Sequence, residues 1–180
     1  HDDLAVGIGD VARELRAAVG RRSGGGLSGD GSDDLGAQYT LDLLSRFQLR
    51  DKELFAAFDH CRSKGVVPLC TPWDEKSLRK LEGYGMQAYK VASADLTNHP
   101  FLEALAATGK PLIVSTGMSA EAEIRDSVDL LRQRAARYVL LHCNSTYPAP
   151  FKDVNLAYLN RLAEIGQCLV GYSGHERDIN

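Results

Sequence analysis

From residue 66 onward, short apolar runs alternate with longer segments whose apolar residues recur at helical spacing. Each run is nearly continuous in apolar residues, which is typical of parallel strands covered by helices. Successive runs begin 22 to 30 residues apart, a spacing that predicts repeated βα units. The predicted strands are residues 66–70, 88–92, 112–115, 138–142 and 168–172.

Helix-end signals support this division. Gly65 follows an amphipathic segment at residues 51–64, and Asp74 and Asn98 stand where helix N-caps belong. Two more helices are predicted, at residues 121–134 and 156–165. Ahead of the regular pattern, residues 1–22 are predicted as a helical segment and residues 23–37 as a glycine-rich linker or loop. The βα units then occupy a domain at residues 38–180.

An open doubly wound sheet and a (β/α) TIM-type barrel both fit this pattern, and the residues at the strand ends favour the barrel. Every predicted strand is followed by residues capable of chemistry, as expected where active sites sit at the carboxyl ends of barrel strands. The glycine fingerprint of a dinucleotide-binding sheet is missing. A full barrel has eight strands in roughly 250 residues. We therefore expect about five βα units of a barrel that is incomplete in this chain.

Composition excludes several other classes of protein. The 180 residues are 44% hydrophobic and 25% charged, with a net charge of −3, which argues against disorder and against a nucleic-acid surface. No apolar run approaches the length of a membrane span. Four cysteines lie far apart without a CxxC pair, which predicts reduced thiols and a cytoplasmic protein.

Lys90 is the most informative single residue, because it lies inside the apolar run YKVAS. Burying an ammonium is costly unless it is paired or its pKa shifts. Lys90 therefore predicts an anchor for phosphate or carboxylate, or a Schiff-base amine, and a structural ion pair with Asp95 or Glu82 is the alternative.

Histidines and hydroxyls follow the other strands. His175 in GYSGHE can reach a cleft and bind a divalent metal, or hydrogen-bond a neighbouring loop. His142 is favoured as a core histidine over a ligand. Tyr147 is held by a proline-rich loop that can place it over a substrate or pack it beneath. Cys70 and Cys143 are interpreted as packing residues. A cluster of hydroxyls suits a phosphate, because Gly117 beside it leaves backbone N–H groups accessible at a helix entrance, although such hydroxyls are also common as plain helix caps; the members are Ser93, Ser115 and Thr116.

Five sequence blocks, taken together, resemble the sialic acid synthase family over about residues 38–179. In chain order the blocks are CTPWD (70–74), AYKVASADLTN (88–98), GKPLIVSTGMS (109–119), LLHCNSTYPAPFKDVNL (140–156) and GYSGHE (171–176). The resemblance implies a barrel that condenses phosphoenolpyruvate with an N-acetylated aminosugar aldehyde, such as N-acetylmannosamine or its phosphate, and releases phosphate. It also implies a divalent metal, Mn or Mg, and a homodimer for the full-length protein.

The resemblance assigns roles to individual residues. Lys90 and His175 are implied as catalytic, with His175 also a metal ligand. Substrate contacts are implied for Thr71, Trp73, Lys90, Ser93, Ser115, Asn144, Tyr147 and Ser173. Trp73 stands where the family more usually carries phenylalanine, and Ser145 is an alternative to Asn144.

Three family features are not found within these 180 residues: a glutamate block, a V-K-F-Q block and a second metal histidine. We therefore expect this chain alone to be inactive. The alternatives to a synthase are an inactive fragment that binds sugar or phosphate without turnover, and a Schiff-base aldolase that uses Lys90.

Overall fold

The computed structural model describes residues 49–177, which belong to two compact units that divide after Val66. The described part of the first unit contains helix α1 (Asp51–Ser63), which buries Phe58. Gly65 follows this helix with a φ of +71°, a left-handed conformation that glycine adopts without a steric penalty. The predicted helix at 51–64 is confirmed. The predicted segments 1–22 and 23–37 lie outside the described residues.

The second unit is built on a parallel sheet whose four strands lie side by side in chain order. A helix lies in each connection between successive strands, as the spacing predicted. The strands are β1 (Tyr89–Val91), β2 (Leu112–Ser115), β3 (Tyr138–Cys143) and β4 (Val170–Ser173). The helices are α2 (Glu75–Tyr84), α3 (His99–Ala107), α4 (Glu121–Gln133) and α5 (Tyr158–Gly166), with 3-10 turns at Ser93–Asp95 and Phe151–Asp153.

The strand predicted at residues 66–70 is wrong except at its last residue. Only Cys70 pairs with the sheet, through a single bridge to Tyr89, and its carbonyl accepts a hydrogen bond from the Lys90 N–H at 3.0 Å. Pro68 interrupts the run, and because proline has no N–H it cannot donate to a ladder of hydrogen bonds. The apolar run therefore lies ahead of the sheet, and the chain joins the edge of the sheet only at Cys70.

The two faces of the sheet differ in burial. Tyr89, Leu112 and Leu140 are at most 1% exposed on the face that the helices cover. The register pairs Lys90 with Ile113, and these residues point to the opposite, half-buried face because side chains alternate along a strand. The core thus lies between the sheet and the helices, and the other face carries the residues that could take part in binding or catalysis.

Two further results bear on the sequence-based expectations. Among residues 49–177, no helix combines the length and the apolar character needed to cross a membrane. His142 is half-buried and bonded within the protein, as expected of a structural histidine rather than a ligand: its Nε2 donates to the Val154 carbonyl at 2.6 Å, and its ring contacts the rings of Tyr158 and Tyr172.

Candidate active site

A cleft of about 350 Å³ opens where the strands end. Eight of the nine residues predicted for the site line it, and Asn144 is the exception. The eight are Thr71, Trp73, Lys90, Ser93, Ser115, Tyr147, Ser173 and His175. These residues come from five separate loops and strand ends, so the parallel sheet is what brings them together.

Lys90 is held in the cleft by two hydrogen bonds rather than by an ion pair. Its Nζ donates to Ser115 Oγ at 2.6 Å and to the Val91 carbonyl at 2.9 Å. Among the residues that the structure describes, no carboxylate forms an ion pair with Lys90, since Glu82 pairs with Lys110 instead. Burial lowers the pKa of Lys90, and the nearby Cys143 opposes this shift. The ammonium keeps a third N–H that can serve an anionic ligand.

The hydroxyls beside Lys90 are oriented by the bonds they accept. Ser115 Oγ accepts from Lys90, and Ser93 Oγ accepts the Gly117 N–H at 3.1 Å. A hydroxyl that already accepts a bond can still donate its own proton. Both serines can therefore donate O–H groups toward a ligand, next to the ammonium of Lys90. We call Lys90, Ser93 and Ser115 the donor floor of the cleft, and such a set favours phosphate or carboxylate.

Gly117 allows three loops to meet at the donor floor. A Cβ atom at this residue would lie 2.5 Å from Ser145 Oγ, 2.9 Å from Ser93 Oγ and 3.0 Å from the Cys143 carbonyl oxygen. Thr116, one residue earlier, fixes the end of β2 to β3, because its N–H and its Oγ1 both donate to the Leu141 carbonyl. A glycine is thus required here for close approach.

His175 is oriented with one ring nitrogen available. Its Nδ1 lies 2.6 Å from the Asn144 carbonyl oxygen, so Nδ1 carries the proton and Nε2 presents a lone pair. The Tyr147 ring stacks on the imidazole with 4.1 Å between centroids, and the Ala149 N–H donates to the His175 carbonyl. This environment fixes the plane of the ring at the wall of the cleft.

The described residues do not complete a metal site. His175 Nε2 is one suitable ligand, and Cys143 Sγ lies 4.0 Å from it. Within residues 49–177 no three His, Cys, Asp or Glu side chains are grouped to hold a metal ion.

Asn144 lies in the loop after β3 with its side chain engaged locally. Its Nδ2 donates to the Asp153 carbonyl at 3.2 Å, and its Oδ1 accepts the Thr146 N–H at 3.0 Å. Its backbone carbonyl is the group that holds His175. Ser145, the alternative candidate, is the residue of this pair that lines the cleft.

Four residues that line the cleft were not predicted for the site, namely Ala92, Ala94, Met118 and Cys143, and the last two have side chains that matter to its chemistry. Cys143 is buried, as a packing residue should be, but it also lines the cleft with its Sγ 3.8 Å from His175 Nδ1. The sequence did offer a signal for Cys143, because it stands at the end of the apolar run of β3, where the other strands carry their site residues. Met118 lines the cleft opening with a 75% exposed side chain, and its signal was the preceding Gly117.

Comparison with known proteins gives a consistent result. The family model described as the NeuB family matches residues 29–180. An uncharacterized protein, MJ1065, of Methanocaldococcus jannaschii is 40% identical over 135 residues, which cover 74% of this chain and 40% of that protein. The N,N'-diacetyllegionaminic acid synthase of Campylobacter jejuni is 34% identical over 143 residues, which cover 78% of this chain and 43% of the enzyme.

A solved structure shows the same fold. The N-acetylneuraminic acid (sialic acid) synthetase of Leptospira borgpetersenii, crystallised with citrate, superposes with a TM-score of 0.76 at 29% identity, covering 79% of this chain and 50% of that chain. The predicted α/β class, with βα units of barrel type, is confirmed. The chain spans between two fifths and half of the length of these relatives.

Proposed function

Because the chain belongs to the NeuB family, we propose that it carries part of the active site of a nonulosonic acid synthase. The reaction proposed is the condensation of phosphoenolpyruvate with an N-acetylated aminosugar aldehyde, N-acetylmannosamine or its phosphate, with release of phosphate. The observation that carries the proposal is the donor floor, where Lys90 and two serines can each donate a hydrogen bond to a ligand. Phosphoenolpyruvate has a phosphate and a carboxylate, which both require such donors.

The proposed chemistry makes one carbon–carbon bond and breaks one carbon–oxygen bond. The methylene carbon of phosphoenolpyruvate attacks the aldehyde carbon, and the aldehyde oxygen takes up a proton. Water adds to the carbon that carries the phosphate, the bond from that carbon to the phosphate oxygen breaks, and the carbon becomes a keto group that keeps the water oxygen. Of the two protons of water, one balances the proton taken up by the aldehyde oxygen and the other leaves with the phosphate. Lys90 would hold the anionic substrate in place and stabilise negative charge on the departing phosphate, with Ser93 and Ser115 donating alongside it.

The remaining contacts belong to the second substrate and to the metal. Thr71, Ser173 and Ser145 offer hydroxyls at the wall of the cleft, and Trp73 and Tyr147 offer aromatic faces at its opening. Asn144 is proposed to act through its carbonyl, by orienting His175. A divalent ion, Mn or Mg, bound with His175 Nε2 as one ligand, would supply a Lewis acid for the aldehyde oxygen. We also propose that the full-length protein acts as a homodimer in the cytoplasm.

A second candidate function is binding without turnover. No Asp or Glu is among the lining residues of the described cleft, so these residues supply no carboxylate for acid–base catalysis. We therefore expect the 180-residue chain to bind phosphoenolpyruvate but not to form a sugar acid from it. Formation of the sugar acid by this chain with phosphoenolpyruvate, Mn²⁺ and N-acetylmannosamine would contradict that expectation.

A third candidate is a Schiff-base aldolase, which the lowered pKa of Lys90 favours because it increases the neutral amine. Reduction with borohydride in the presence of pyruvate separates the two chemistries. An aldolase gains the mass of reduced pyruvate on Lys90, whereas the proposed synthase leaves Lys90 unmodified.

Trp73 supplies a direct test of the proposed function, because it is the only tryptophan in the sequence and it lines the cleft. Titration with phosphoenolpyruvate is expected to change its fluorescence with saturation. Lys90→Met is expected to weaken binding by roughly tenfold or more, since a charge-assisted hydrogen bond is lost, and Lys52→Met on α1 is a matched control that also removes one lysine. Equal affinities for the Lys90→Met variant and the unchanged chain would refute the donor floor.

A further inference from the structure

Met118 has a backbone conformation that its side chain does not favour. Its φ is +63°, in the left-handed region that is uncommon for residues other than glycine and asparagine. Holding such a residue there costs free energy, and strain of this kind clusters at functional sites. Glycine at this position would remove the steric penalty, so the side chain itself needs an explanation.

The strained conformation is imposed by the neighbouring contacts. Thr116 is bonded to β3, and Gly117 is packed against Ser93, Ser145 and the Cys143 carbonyl. The chain leaves this fixed point and enters α4 within a few residues, where the Ala120 N–H is capped by Glu123 Oε2 at 2.7 Å. Between these two anchors the backbone turns at Met118, and its side chain is left 75% exposed while lining the cleft.

Met118 belongs to an apolar rim. We give this name to Trp73, Met118 and Tyr147, which all line the cleft and are 47%, 75% and 73% exposed. The rim differs in character from the donor floor of Lys90 and its two serines. A ligand that fills the cleft therefore meets hydrogen-bond donors at one end and apolar surface at the other.

We infer that Met118 is a specificity-determining residue whose thioether side chain covers the N-acyl substituent of the acceptor sugar. This rests on the proposed function, in which phosphoenolpyruvate occupies the donor floor and the aminosugar aldehyde lies above it. The acyl methyl is the one apolar group on an otherwise hydroxylated sugar, so it fits the apolar rim. Methionine is flexible and polarisable, and it can adapt to acyl groups of different size.

The test compares two sugars in the presence of saturating phosphoenolpyruvate, with affinities measured by calorimetry on the full 180-residue chain. N-acetylmannosamine carries the acyl group and mannose lacks it. Met118→Gly relieves the left-handed strain and removes the apolar contact. We expect it to weaken binding of N-acetylmannosamine by roughly four- to fifteen-fold, as the loss of one or two buried methylene contacts would. Binding of mannose should change less than twofold, and Met118→Leu should retain the preference for the acylated sugar.

Ala135 provides a matched control for the backbone. It is an exposed residue with a φ of +50° that does not line the cleft, so Ala135→Gly relieves similar strain elsewhere. Both glycine variants are expected to melt at or above the temperature of the unchanged chain, and only Met118→Gly should alter the sugar preference.

The outcomes separate this inference from the proposed function. If phosphoenolpyruvate binds but Met118→Gly leaves the sugar preference unchanged, the role of Met118 is refuted and the proposed function stands. If N-acetylmannosamine binds no better than mannose to the unchanged chain, the role of Met118 is likewise refuted. If phosphoenolpyruvate itself fails to bind, the proposed function is refuted, and this inference falls with it.

Discussion

Replacing Gly117 by alanine is expected to damage the donor floor. The new Cβ would lie 2.5 Å from Ser145 Oγ and 2.9 Å from Ser93 Oγ, which is closer than real Cβ contacts, and 3.0 Å from the Cys143 carbonyl oxygen. The two serines can rotate, but the third neighbour is backbone in β3. The end of β2 must therefore move away from β3, or Ser93 and Ser145 must leave their places in the cleft.

The expected loss of stability in Gly117→Ala follows from the free-energy cost of overpacking. An extra methyl group in a tightly packed site destabilises by about 1–3 kcal/mol. In addition, the Gly117 N–H to Ser93 Oγ bond lengthens, and such a bond contributes about 0.5–1.5 kcal/mol. For a domain of this size, 1 kcal/mol corresponds to roughly 2–4 °C in Tm, so we expect a loss of at least 2 °C. Phosphoenolpyruvate binding should weaken by roughly tenfold, because Ser93 no longer presents its proton at the same place.

Gly83→Ala is the matched control. Gly83 lies within α2, and a Cβ there would meet nothing within 4 Å. Alanine is favoured over glycine in a helix interior by about 0.5–1 kcal/mol, so this variant should melt at a higher temperature and bind phosphoenolpyruvate normally. Thermal melts followed by circular dichroism and Trp73 fluorescence titrations measure both properties. A Gly117→Ala variant that matches the unchanged chain in Tm and affinity would refute the argument that close approach at Gly117 holds the floor together.

Two further predictions concern stability away from the cleft. Asp74 Oδ1 accepts the Ser77 N–H at 2.7 Å at the start of α2. Asp74→Ala should therefore lower the free energy of unfolding, measured with urea, by about 1 kcal/mol, and Asp74→Ser should lower it much less. Equal urea midpoints for the two variants and the unchanged chain would contradict this. Side-chain hydrogen bonds from Arg161 and Arg125 lower the pKa of Glu121 to about 2, below its usual 4.5, so the stability this carboxylate contributes is present above pH 4.5 and is lost as pH falls toward 2. In Arg161→Met the fall in Tm between pH 6 and pH 3 should be smaller at low salt, and an identical pH profile would contradict the assignment.

The repeat of strands and helices could be predicted because each element has a local cause. Asp74 caps α2, and apolar runs mark β1 to β4, so the order of helices and strands along the chain follows from the sequence alone. The prediction was wrong where two local signals competed. The run at 66–70 is apolar enough for a strand, but it contains Pro68, which cannot donate a backbone hydrogen bond, and only Cys70 of the run pairs with the sheet. Helix α5 begins at Tyr158, two residues later than the prediction, because the chain first forms a tighter turn in which the Tyr158 and Leu159 N–H groups donate to the carbonyls three residues earlier.

The place of Lys90 in the cleft could be predicted, because a charged residue in an apolar strand is anomalous in any fold. The contact between Cys143 and His175 was not, since it depends on how β3 and β4 pair. The register aligns Cys143 with Ser173, and only this tertiary pairing brings the loop with His175 beside the end of β3. The choice between Asn144 and Ser145 likewise turns on the path of a loop, because a shift of one residue decides which side chain enters the cleft.

The direction of the hydrogen bonds is what makes the cleft suited to an anion. Lys90 donates to Ser115, Gly117 donates to Ser93, and the Nδ1–H of His175 donates to the Asn144 carbonyl. Each bond satisfies an acceptor within the protein and leaves a donor, or in His175 a lone pair, facing the ligand. Since these roles are set before any ligand arrives, little reorganisation accompanies binding, which is the condition under which fixed dipoles stabilise charge most effectively. Serine and glycine are common at strand ends, so these residue types alone do not imply this arrangement. It follows from the close approach at Gly117, which links the loops after β1, β2 and β3 at one point and thereby fixes which partner each hydroxyl accepts from.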